Sequence, residues 1–200
     1  APERMKRRFE VAASAGAQMV ITNACFVGDE DQFYDNIIKA EKLAAQYDLL
    51  IGLENTGFAR KTVCTDAKEL ADVVKKLNLS HVKANYDTAN VVTYSWGTKQ
   101  PTEGIESLGD TLWSLHLKDT KKTPEGCYQM CPVGTGEVNN KAVLQALKGS
   151  EFITTLEMPL RIFWNKEHNS CKHTNPLLLA DIEKYIADSA AWFYQTIGDL

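Results

Sequence analysis

No stretch of this 200-residue sequence stays apolar for the roughly 20 residues that a bilayer-spanning helix requires. Basic residues are not in excess either. Lys and Arg total 22 against 26 Asp and Glu, for a net charge of −4. That balance excludes a broad electrostatic attraction for nucleic acid or an anionic membrane, and leaves room only for a local basic pocket. The opening APERMKRRFE is basic but has no apolar stretch of signal-peptide type behind it, so the expected compartment is cytoplasmic. Five cysteines form an odd number with no disulfide-framework spacing. Cys127 and Cys131 lie four apart, but no second pair follows to complete a zinc site. Low-complexity segments and short-period repeats are missing too. What remains is a composition of 44% hydrophobic and 24% charged residues, ordinary for a soluble globular protein, with one domain expected over 1–200.

The chain alternates between two hydrophobic periods. Helical periodicity is expected over 3–16, 31–47, 65–78, 102–109, 139–149 and 176–197, with Thr65 or Asp66 capping the third helix. Short apolar runs at 17–23, 49–55, 82–88, 112–119 and 152–158 read as strands. Strict alternation implies parallel strands joined by right-handed crossovers and covered by helices. The irregular stretches 88–101, 119–138 and 158–175 each follow a strand, where parallel α/β folds carry their chemistry.

Four of the strands end in a side chain able to bind a metal or move a proton: Glu54, Asp87, His116 and Glu157. Their spacings are 33 (87−54), 29 (116−87) and 41 (157−116), each about one β-α repeat, so the four should meet at one end of the sheet. Three carboxylates brought together repel one another unless a cation compensates. Three carboxylates and one imidazole suit Mn²⁺ best, with Mg²⁺, Co²⁺ or Zn²⁺ as alternatives.

The segments IGLENTG, YDTANV, LHLKDT, VGTGEVN and TLEM resemble the xylose-isomerase-like TIM barrels, specifically the sugar and sugar-phosphate isomerases and epimerases such as ketose 3-epimerases and hexulose-6-phosphate epimerases. The resemblance covers essentially the whole chain. It implies a metal held by Glu54, Asp87, His116 and Glu157, with Glu54 and Glu157 also serving as acid/base groups. It further implies proton transfer through a cis-enediolate, giving epimerisation or aldose–ketose isomerisation. Asn90 stands three residues after Asp87, where many relatives have a substrate-contacting His. Arg161 and Asn23 join Asn90 as candidate substrate contacts; Lys118 is a candidate to contact substrate or to orient the metal ligands, with a buried-face salt bridge as the alternative. Gly134 and Gly136 are candidates for a phosphate-binding loop or a plain turn. Trp96 and Trp164 are candidate walls of a sugar site, whereas Trp113, within a strand, reads as core. His168, Cys171 and His173 share a loop but lack a fourth zinc ligand.

The partner expected is a small sugar or sugar phosphate, with no nucleic acid and no membrane. A complete barrel has eight β-α units in about 250 residues. Five are expected here, so the fold class is a partial TIM-type α/β barrel, in which the first three units are missing. A fragment or truncated gene product is the favoured explanation; completion by another chain, a homo-oligomer and a rearranged sheet are the alternatives. Competing functions are a polyol-ketone dehydratase of the same fold and a non-catalytic barrel piece acting as a binding or assembly subunit. The multi-zinc endonuclease IV branch needs more histidine than the four present.

Overall fold

The computed structural model describes residues 2–56 and 61–200. Gly57, the last residue of the IGLENTG segment, lies outside the described residues. Five parallel strands form one sheet in the order β1 (Met19–Asn23), β2 (Leu50–Glu54), β3 (Val82–Asp87), β4 (Leu112–Leu117) and β7 (Ile153–Leu156). Helices α1 (Pro2–Ser14), α2 (Glu30–Gln46), α3 (Ala67–Leu77), α5 (Asn140–Ala146) and α6 (Leu179–Gly198) alternate with them. This is the sheet of a partial TIM-type barrel. The outward side chains Ile51, Leu53, Ala84, Tyr86, Leu115 and Leu117 pack beneath the helices in one apolar core. Among the described residues, no helix is long and apolar enough to cross a membrane, and the cysteines form no disulfide.

Local sequence explains where elements start and stop. Asp66 caps α3 by accepting a hydrogen bond from Glu69 N at 3.0 Å, and Glu69 Oε2 reaches back to Thr65 N at 2.8 Å. At the other end Asn78 turns left-handed at φ 48° behind Lys75 and Lys76. Asp87 ends β3 and at the same time caps a short helix, α4 (Thr88–Tyr94), accepting from Asn90 N at 2.9 Å. That one residue fixes both the strand end and the turn that follows it.

Three expectations need correction. The short helix expected over 102–109 is instead two 3₁₀ turns, Ile105–Ser107 and Gly109–Thr111, the first preceded by Gly104 and the second opened by Gly109, both at positive φ. The stretch 88–101 contains α4, although its β-branched residues disfavour helix; burial of Val91 and Val92 outweighs propensity. The stretches 119–138 and 158–175 are not irregular. They build a second, antiparallel sheet in the order β5 (Asp119–Lys122), β6 (Tyr128–Cys131), β8 (Ile162–Trp164) and β9 (Ser170–Lys172). It grows out of the ends of β4 and β7, and its core of Tyr128, Met130 and Trp164 packs with Ala89 and Val92 of α4.

Candidate metal centre

Alternation along each strand places every second residue on the inner face of the sheet. Gly52 and Glu54 on β2, Asn85 and Asp87 on β3, and Ser114 and His116 on β4 follow this parity. Glu157 directly follows β7, its N–H bonded to Leu117 O at 3.0 Å. The result is that one ligand atom from each of Glu54, Asp87, His116 and Glu157 falls within 4.8 Å of all the others. The four residues singled out from strand ends do converge.

Each of the four is oriented by specific partners. Glu54 Oε2 accepts from Asn85 Nδ2 at 2.9 Å and its Oε1 accepts from Asn90 Nδ2 at 3.2 Å. Asn85 is held in turn by the Ser114 hydroxyl. Asp87, fully buried, receives Asn90 N on Oδ1 and the Lys118 ammonium on Oδ2 at 3.1 Å. His116 Nδ1 lies 3.3 Å from Glu157 Oε2 and 3.5 Å from Glu54 Oε2. Lys118 Nζ lies 3.3 Å from Glu157 Oε2.

The electrostatics are those of a site short of positive charge. Burial, reinforced by the Asp87 charge, pushes the Glu54 carboxyl up to about 7. Burial also raises Asp87, against the pull of Lys118. Glu157 goes the other way, to about 2: burial would raise it, but the His116 hydrogen bond and the Lys118 charge outweigh that. His116 is raised in spite of its burial by Glu157, Glu54 and Asp87. Oxygen and imidazole donors at this spacing, with excess negative charge, fit a divalent cation of the hard or borderline class.

The other residues singled out from sequence scatter. Asn90 and Lys118 lie within the cluster, both buried. Asn23, at the end of β1, is in register with Glu54 and exposed. Arg161 is exposed, donates from Nη2 to His173 O at 3.0 Å, and lines a groove of about 520 Å³ together with Lys172, Leu160 and Leu177. Trp164 is buried in the second sheet, Trp96 stacks on His168 at 4.0 Å, and Trp113 faces away from His116. His173 Nε2 pairs with Gln129 at 2.9 Å, so the His168–Cys171–His173 loop is engaged elsewhere. Gly134 and Gly136 do not offer their amides to solvent: both donate to Asp119 Oδ2, at 2.9 and 3.0 Å. Asn85 and Ser114 escaped the sequence reading. Their signal was the period of two, since each stands two residues before a ligand.

The chain has measurable likenesses. The sequence model of one family, described as xylose isomerase-like TIM barrel, matches residues 1–196. No curated protein matches the chain in sequence. Among solved structures, a xylose isomerase domain protein from Planctomyces limnophilus superposes with TM-score 0.68 at 19% identity, over 98% of this chain and 63% of that one. The 3-keto-D-glucoside 4-epimerase of E. coli gives TM-score 0.69 at 15% identity, over 97% and 70%. A D-tagatose 3-epimerase-like protein gives 0.67 at 18%, over 99% and 70%. This chain therefore spans under two thirds of the first of these structures and somewhat more of the other two. Likeness at such identities establishes the fold.

Proposed function

The chain belongs to the xylose isomerase-like TIM-barrel family, and from that premise we propose that it binds a divalent cation, Mn²⁺ by preference, and catalyses proton transfer on a sugar or sugar phosphate as an isomerase or epimerase. The observation that carries this reading is the meeting of four donors from four adjacent strands within 4.8 Å. Two of the similar structures bear the names of epimerases or epimerase-like proteins, which agrees with the chemistry of the cluster.

A divalent ion, when bound, supplies Lewis acidity to a substrate carbonyl and so acidifies the neighbouring C–H. The protein's own residues do the rest. Glu54 and Glu157 come from β2 and the end of β7, on either side of β4 in the sheet, so one removes the proton and the other returns it. Return to the same carbon from the opposite face inverts it; return to the adjacent carbon isomerises aldose and ketose through a cis-enediolate. Asp87 and His116 act as ligands alone, since Asp87 is fully buried and capped on both oxygens. Asn23 and Arg161, both exposed, are placed to meet the more distant parts of the substrate, Arg161 keeping its bond to His173 O.

The test is metal content of the purified chain, followed by deuterium uptake into a panel of ketoses and ketose phosphates in heavy water. Glu157→Gln should keep the metal, because one carbonyl oxygen still coordinates, and should lose exchange. Full exchange in that variant refutes the assignment. No metal and no exchange in the parent chain would establish the non-catalytic reading.

A further inference from the structure

Resting on the metal reading above, we infer that Asn90 and Lys118 are positioning residues: together they form a clamp behind the ligands that ties Glu54 to Glu157 and Asp87 and sets the opening into which a divalent ion fits.

The argument is one of hydrogen-bond capacity. A lysine ammonium has three protons and no acceptor. Lys118 Nζ has three acceptors in reach: Asp87 Oδ2 at 3.1 Å, Asn90 Oδ1 at 3.3 Å and Glu157 Oε2 at 3.3 Å. A carboxamide has two N–H protons. Asn90 Nδ2 donates to Glu54 Oε1 at 3.2 Å and to Asn55 O at 2.9 Å. Neither side chain therefore has a proton left for a substrate, and both are buried. Their bonds run instead in an unbroken line from Glu54 through Asn90 and Lys118 to Glu157. Asn55 anchors that line from the other side, bonding Asp87 N at 2.7 Å and Asp87 O at 2.9 Å.

Charge completes the case. Three carboxylates and a neutral imidazole around a divalent ion leave a net −1. The Lys118 ammonium brings the sum to zero, so the clamp matches the site to a doubly charged ion without occupying a coordination position. A buried lysine with no carboxylate partners would be costly, and here two partners are also ligands, which couples its placement to theirs.

The experiment is calorimetric titration of the 200-residue chain and its Asn90→Ala variant with Mn²⁺ alone, backed by deuterium exchange into a ketose. Loss of an outer partner of a ligand typically costs about 10- to 100-fold in metal affinity. The expected result is Mn²⁺ binding at least about tenfold weaker in Asn90→Ala, with the ketose KM retained and the saturated exchange rate reduced. A raised KM with unchanged Mn²⁺ affinity would overturn the clamp and make Asn90 a substrate contact. Equal Mn²⁺ affinity and equal exchange would overturn it while leaving the metal reading intact. If the parent chain binds no Mn²⁺, Mg²⁺, Co²⁺ or Zn²⁺, both fall together. A measurement on the parent chain needs no variant: the Lys118 ammonium and Asn90 carboxamide protons should be protected from solvent exchange by NMR and shift on adding Mg²⁺. Unprotected, unshifted signals overturn the clamp.

Discussion

Replacing Asp119 by Asn changes one atom and asks what the glycine loop is for. Asp119 is buried at the start of β5 and accepts four backbone hydrogen bonds. Thr120 N and Val138 N reach Oδ1 at 2.9 and 3.2 Å; Gly134 N and Gly136 N reach Oδ2 at 2.9 and 3.0 Å. The glycines serve this arrangement. A Cβ on Gly136 would collide with the Asp119 carboxylate, and Gly134 has φ 88° with the Trp192 indole where its Cβ would be. In Asp119→Asn an NH₂ group must face two N–H donors, so two charge-assisted bonds are lost, at about 1.5–3 kcal/mol each. Gly134 is exposed and Gly136 half-buried, so water compensates in part and the lower end applies, about 3 kcal/mol in total. For a chain of this length that is a fall in Tm of roughly 6–12 °C, read by circular dichroism or calorimetry. Inorganic phosphate should not stabilise the parent chain through this loop, because the loop amides are already taken. A Tm in Asp119→Asn within about 1 °C of the parent would refute the reasoning, since surface changes alone fall in that range. Stabilisation by phosphate that disappears on mutating the loop would restore the phosphate-cradle reading.

Two further outcomes follow from charge. Glu54 must be ionised to ligate, and its carboxyl stands at about 7, above its ordinary value of 4.5. A raised carboxyl favours the fold below the unfolded value and loses that contribution as pH rises through about 7, while Mn²⁺ competes with the same proton; the Mn²⁺-induced rise in Tm should therefore grow from about pH 5.5 to about pH 8, and a shift that is flat with pH counts against Glu54 as a ligand. Arg161 sits on a groove with Lys172 and is free at one guanidinium edge. Arg161→Ala should raise KM for a ketose phosphate by about tenfold, the worth of one charge-assisted hydrogen bond, and leave the unphosphorylated ketose unchanged. Equal effects on both would remove Arg161 from the substrate site.

The legible parts of the molecule were those encoded locally. Apolar runs such as LIGLE and LWSLHL carry their own signature, and so do the capped helix at Asp66 and the acidic and imidazole side chains that end the runs. All five barrel strands and all four converging ligands follow from such runs. The second sheet does not. Its strands have three or four residues, too few for a period of two to stand out, and its pairing of Gln129 with Phe163 joins segments far apart in sequence. Asn85, behind Glu54, is hidden for a related reason: it acquires meaning only from a hydrogen bond across to another strand, and a carboxamide in sequence carries no mark of its partner. Asn90 stands out in sequence for its place after Asp87, but its bond to Glu54 is not legible there. Asp119 directly follows Lys118, and nothing in that adjacency tells the two apart. In three dimensions the two diverge, the lysine to the ligands and the aspartate to the loop.

The two glutamates differ in a way that the sheet itself explains. Glu54 ends β2, which has β1 on one side and β3 on the other, and both its oxygens are held by carboxamides. Glu157 follows β7, whose neighbour in the parallel sheet is β4 alone, and its side chain is 37% exposed against 13% for Glu54. Its contacts in the cluster include the His116 imidazole and the Lys118 ammonium, at 3.3 Å each. Ionic contacts of that kind tolerate reorientation better than a pair of directional amide bonds. Glu54 is thus built as the fixed wall of the site and Glu157 as its adjustable one. An ion would draw Glu157 in, because no carboxamide among the described residues holds it elsewhere. The Lys118 ammonium, shared between Glu157 and Asp87, limits how far it can swing away. In the reaction proposed above, this division would serve a proton-transfer pair: Glu54 would keep the geometry of the site, and the more exposed Glu157 would exchange its proton with solvent.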